Sequence, residues 1–110
     1  MSAVLEQHPR LERMTEADLD QVVAIESAVY SHPWTRGNFS DSLRAGYKCF
    51  NWRVGSVLAG YFVLLVAAGE AHLLNLSIAP GWQRRGHGTA LLRGVVALAK
   101  GLAELGVEIL

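Results

Sequence analysis

Between Tyr47 and Ile78 three apolar runs are separated by two-residue breaks, Gly55-Ser56 and Gly69-Glu70. Connections this short join antiparallel neighbours, so a three-stranded meander is expected over Tyr47–Val54, Val57–Val66 and Ala71–Ile78. Pro80-Gly81 stops the third strand, because proline cannot donate to a ladder. Upstream, Arg10–Met14 reads as a short strand, and Thr15–Asp18 resembles a capping box ahead of Leu19, Val22, Val23, Ile25 and Val29 at helical spacing. Pro33 breaks that helix, and Thr35 caps a short second one, with Trp34 stapled against Phe39. Gly46 ends it. Downstream, Leu92, Val95, Val96, Ala99, Leu102 and Leu105 stripe a helix over Thr89–Leu105, which Gly106 closes before "VEIL" opens another strand. The last strand–helix–strand unit implies a parallel crossover. The expected class is α/β (α+β): one domain over 1–110 with a mixed, mostly antiparallel sheet flanked by helices.

Apolar residues make up 51% of the chain, which places it among globular rather than disordered sequences. Its net charge of zero argues against a general nucleic-acid binder, which needs surplus Lys and Arg for phosphate contacts. The lone cysteine, Cys49, permits no internal disulfide and reads as a half-buried structural thiol within a strand. The first residues have no apolar core for a signal peptide, and the run Val57–Ala68, interrupted by Gly60, is too short to span a bilayer. A cytoplasmic protein with no membrane segment is expected.

The stretch "NLSIAPGWQRRGHGTALL" (75–92) carries the chemistry. A helix N-terminus exposes free N–H groups and the positive end of the macrodipole. Without a Cβ at Gly86 and Gly88 the backbone can come close to a phosphate and take positive φ. Arg84 and Arg85 add charge, and the Thr89 hydroxyl can donate once more. The loop therefore reads as a diphosphate seat. A Walker A loop would end Gly-Lys-Ser/Thr, and here Gly-Thr-Ala stands instead. A dinucleotide fingerprint would have a third glycine where Leu91 stands. Its acid would end a strand, whereas Glu108 begins one. The plain alternative is a loop whose glycines only turn the chain.

Gln83-Arg84-Arg85-Gly86-His87-Gly88 resembles the Gln/Arg-x-x-Gly-x-Gly/Ala loop of the GCN5-related N-acetyltransferase (GNAT) superfamily. "RMTEADLDQVVAIE", "HPWTRGNF" and "LLNLSIAPGWQRRGHGTALL" are similar to the RimI-type ribosomal-protein alanine N-acetyltransferase branch, so the resemblance runs through nearly the whole chain. It implies acetyl-CoA as co-substrate, with no metal. The pyrophosphate would rest on the amides of Arg84, Arg85, Gly86, His87, Gly88 and Thr89, His87 giving only its N–H while its imidazole stays solvated. The pantetheine arm would lie along the strand, bonded to the main chain of Leu76, Ser77 and Ile78, as an added strand does. The acceptor implied is a protein N-terminus, alanine of a ribosomal protein, held near Tyr30, His32 and Trp34. Glu26 could attract an ammonium there, although a solvated helix carboxylate is the plainer reading.

The resemblance also implies a catalytic carboxylate and a general-acid tyrosine on segments that would fall beyond Leu110, so the chain reads as the front two-thirds of such a domain, with its C-terminal portion absent. Glu108 is out of register with that carboxylate. His72 sits on the alternation face of Leu74, Leu76 and Ile78, which suits a core or edge histidine better than a base. With no further strand beside it, Ala71–Ile78 has an open edge that invites pairing with a second copy. The alternative to an enzyme is a CoA-binding module that does not turn over, or one completed by a partner chain.

Overall fold

The computed structural model describes residues 8–106 and the backbone of 108–109. Its five strands lie in the order β1 (Pro9–Arg13), β2 (Lys48–Val54), β3 (Val57–Ala67), β4 (Glu70–Ile78), β5 (Glu108–Ile109). The first three pairings are antiparallel and the last, Glu70 with Glu108 and Ala71 with Ile109, is parallel, so the expected crossover is present. Helices α1 (Leu19–Val29) and α2 (Arg36–Arg44) cover one face of the sheet, and α3 (His87–Glu104) covers the other. The hairpin between β3 and β4 turns at Ala68-Gly69, one residue earlier than expected. Both residues have positive φ, as a two-residue turn between twisted strands demands.

Two apolar layers follow from strand alternation. Met14, Leu19, Val22, Phe39, Cys49, Tyr61 and Val63 pack beneath α1 and α2, while Trp52, Phe62, Leu64, Ile78, Leu91 and Val95 pack beneath α3. The second helix starts as its sequence dictates. Thr35 Oγ1 accepts from the Asn38 amide at 3.1 Å, Asn38 Oδ1 accepts from the Thr35 amide at 2.9 Å, and the Trp34 and Phe39 rings lie 5.2 Å apart. Cys49 is fully buried, and burial pushes its thiol up to about 11. It is therefore a packing group and not a thiolate at neutral pH.

Gly60 marks a close approach of β3 to β4. A Cβ built there would lie 2.5 Å from the Ser77 carbonyl oxygen and 2.7 Å from Ile78 Cδ1. Backbone cannot yield as a flexible side chain can, so Gly60→Ala is expected to cost about 1–3 kcal/mol. Urea unfolding should show it as a lower midpoint with an unchanged slope.

Candidate functional site

Strand β4 organises the site because its pairing with β3 slips once. Val63 pairs with Asn75 and Leu64 with Leu73, so Leu74 is an extra residue, a β-bulge. The bulge switches which side chains face which layer. Asn75 and Ser77 turn toward α1, and Leu76 and Ile78 toward α3. Before the bulge His72 pairs with Leu65 and so shares the α1 side with Asn75 and Ser77. The alternation expected from sequence, His72 with Leu74, Leu76 and Ile78, is thus corrected by one inserted residue. His72 instead lies 3.2 Å from Glu70 in a half-exposed pair.

Among the described residues β5 pairs with β4 at Glu70 and Ala71, and no strand pairs with that side of β4 from Leu73 to Ile78. The open side belongs to alternate residues. The Ser77 carbonyl lies against Gly60 of β3 and is turned inward. The carbonyls of Leu76 and Ile78 point the other way, accepting from the Tyr30 hydroxyl at 2.9 Å and from Gln83 Nε2 at 3.0 Å. Of the three main-chain positions expected to face a ligand, Leu76 and Ile78 turn their carbonyls away from β3, whereas Ser77 turns its carbonyl toward β3 and its hydroxyl toward α1. That hydroxyl is 3.1 Å from both Tyr30 Oη and Asn75 Oδ1.

Tyr30, His32 and Trp34 do come together. With Glu26 and residues 73–76 they line an open cleft of about 310 Å³ between the α1–α2 connection and the bulged part of β4. Its floor was not foreseen. Glu26 is only 2% exposed, not a solvated helix carboxylate. Its Oε1 accepts from the Tyr61 hydroxyl at 2.6 Å and from Asn75 Nδ2 at 3.0 Å, and its Oε2 from the Trp34 amide at 3.0 Å. Burial, and then the Glu26 carboxylate it donates to, hold the Tyr61 phenol far above its ordinary range. The signal for this floor was present in the sequence: Glu26 falls on the Val22, Ile25, Val29 stripe of α1, where a carboxylate must be buried and bonded.

At the other end of the open edge stands the glycine loop. Helix α3 begins at His87, two residues earlier than expected, with Gly86 before it at φ 85°. Arg84 is also left-handed, at φ 63°, a conformation that costs an arginine energy and is kept where the surroundings require it. Gly88 lies inside the helix, where a Cβ would touch only Ile78 Cγ1 at 3.8 Å, so the two glycines have different roles. The first backbone hydrogen bond of α3 runs from the Ala90 amide to the Gly86 carbonyl. Among the described residues, the amides of Arg84 to Thr89 donate to no carbonyl of the turns, loops or caps. Six neighbouring N–H groups, an 18-residue helix behind them and two arginines are the elements that anion binding at a helix N-terminus uses.

His87 is not solvated as expected. It is half-buried between two indoles, its Nδ1 accepting from Trp52 Nε1 at 3.1 Å and its ring 5.4 Å from that of Trp82. Arg85 stacks over the other partner, 5.2 Å from the Trp82 ring centre. Trp52 lies 35 residues before His87, so local pattern could not have joined them. No group of three metal-capable side chains occurs among the described residues, and none of the described helices is long and apolar enough to cross a membrane.

Comparison with known proteins identifies the class to which this sheet, its bulged strand and the glycine-capped helix belong. The acetyltransferase (GNAT) family matches residues 19–109, and the chain belongs to that family. More particularly, the chain is 29% identical over 94 residues to the [ribosomal protein bS18]-alanine N-acetyltransferase of Escherichia coli K12, covering 84% of this chain and 64% of the relative. The crystal structure of the Escherichia coli ribosomal-protein-S18-alanine N-acetyltransferase superposes with a TM-score of 0.79 at 26% identity, over 91% of this chain and 63% of that one. The Thermoplasma acidophilum PaiA N-acetyltransferase, solved in complex with coenzyme A, shares the fold at a TM-score of 0.71 and 16% identity, over 91% of this chain and 75% of that one. The chain thus spans somewhat under two thirds of the length of the Escherichia coli relative.

Proposed function

We propose that this domain transfers the acetyl group of acetyl-CoA to the N-terminal α-amine of a protein, with alanine of a ribosomal protein as acceptor. The observation that carries the reading is the row of six amides at the mouth of α3, joined to β4 by the short turn at Pro80–Trp82. In this reading Arg84, Arg85, Gly86, His87, Gly88 and Thr89 hold the pyrophosphate. Leu76 and Ile78 offer main-chain groups to the pantetheine arm, and the Ser77 hydroxyl steadies Tyr30 beside it. Bound acetyl-CoA supplies the activated acyl group. The protein's own share is to fix that group at the bulge, where Tyr30, His32 and Trp34 would hold the incoming amine. The similarity to bS18-alanine N-acetyltransferases over most of the chain supports this acceptor class. The cytoplasm is the compartment we assign, since a single buried cysteine needs no oxidising surroundings.

One observation favours a second reading, a CoA-binding module completed by another chain. The carboxylate and the phenols around the cleft are already engaged: Glu26 with three donors, Tyr30 with Leu76, and Tyr61 with Glu26. Incubation with acetyl-CoA and an Ala-starting peptide separates the two. Mass spectrometry should show singly acetylated peptide at a rate that rises with pH toward the amine's pKa, about 8, because only the neutral amine attacks. Calorimetric CoA binding without product would establish the module instead. Stabilisation by ATP or NAD exceeding that by CoA would remove both readings.

A further inference from the structure

Glu26 brings an unneutralised charge to the cleft. All three of its partners offer hydrogens, which suits an ionised carboxylate, yet each of them is neutral. Among the described residues it forms no ion pair with any lysine, arginine or histidine. Glu26 is the only acidic residue lining the cleft, and no lysine or arginine lines it. Carboxylates are rarely kept buried without a cation, because three neutral hydrogen bonds offset only part of the lost hydration.

We propose that Glu26 is the specificity-determining charge of the cleft: it selects acceptors that present a cationic, unacylated amine. The inference rests on the cleft being the acceptor site. At neutral pH an N-terminal amine is mostly ammonium. Entering the cleft, it supplies the missing positive charge across a low-dielectric wall, where attraction is stronger than in water. The acetylated product is neutral and loses that attraction, so one carboxylate both draws the substrate in and lets the product go. The ammonium must still shed its proton before attack, which keeps the rate rising with pH.

The test uses two peptides that differ only at their first group. One is Ala-Ser-Tyr-Gly-Ser-Gly with a free amine, and the other is its desamino analogue, in which propionyl replaces Ala. Binding is measured by calorimetry at pH 6.5 with CoA present. The parent should bind the amine peptide about tenfold or more tighter than the analogue. In Glu26→Gln, which keeps the side-chain shape, that preference should vanish while CoA affinity stays unchanged. Equal binding of the two peptides by the parent would overturn the proposal with no variant needed. A variant that weakens both peptides alike would overturn it too, leaving Glu26 as a prop for the Trp34 loop. If the parent binds neither peptide but still binds CoA, the acceptor-cleft reading itself has failed, and the proposal falls with it.

Discussion

Gly86→Val should lose about a hundredfold in CoA affinity, whereas Gly88→Ala should keep it within about threefold and melt at a higher temperature. The contrast comes from the backbone. Gly86 stands at φ 85°, which an L side chain enters at a cost of about 1–2 kcal/mol, more for a β-branched one. Valine relieves that strain by turning the peptide, and the turn carries the amides on either side out of convergence. Hydrogen bonds to charged groups contribute about 1.5–3 kcal/mol each, so misaimed donors account for the hundredfold loss. Gly88 is helical, and a Cβ there meets only Ile78 Cγ1 at an ordinary 3.8 Å. Alanine exceeds glycine in helix propensity by about 1 kcal/mol, and its amide points where glycine's did. Thermal melts with and without CoA measure both effects at once. Loss of binding in Gly88→Ala as severe as in Gly86→Val would mean that empty space, not donor direction, makes the seat.

What the sequence made legible is whatever short-range chemistry decides. Gly55 and Gly69 fixed the meander, Thr35 with Asn38 fixed the second helix, and Gly86 fixed the start of the third to within two residues. The bulge stayed hidden because Leu73 and Leu74 are both apolar and satisfy either alternation. Only the pairing with Val63 and Leu64 shows where the extra residue lies. Once that phase is lost, every side assignment upstream of it inverts, and His72 went to the wrong layer. Trp52 beside His87, and Tyr61 beside Glu26, are long-range meetings with no local signature. Tyr30, His32 and Trp34 line one cleft because a proline break and a helix cap leave a short loop little freedom. The burial of the carboxylate beneath them was signalled by its place on the apolar stripe of α1, but its partners Tyr61 and Asn75 needed the tertiary structure.

Glu26→Ala is expected to destabilise the chain by about 3–5 kcal/mol, lowering its melting temperature by more than about 10 °C. Removing the carboxylate strands three donors at once. The Tyr61 hydroxyl and Asn75 Nδ2 lose the acceptor that joins β3 and β4 to α1, and the Trp34 amide loses the one that closes the α1–α2 connection. Each buried donor left without a partner costs about 1–3 kcal/mol, and the vacated volume adds a cavity term. Glu26→Gln should cost far less, because its one oxygen can still serve Tyr61 and Asn75 and only the Trp34 amide faces a mismatched group. A double variant, Glu26→Ala with Tyr61→Phe, should recover part of the loss, since it removes one of the stranded donors together with its acceptor. If Glu26→Ala melted within a few degrees of the parent, the carboxylate could not be the tie that joins helix, loop and sheet. The cleft would then owe its shape to the apolar packing of Trp34, Phe39 and Tyr61 alone.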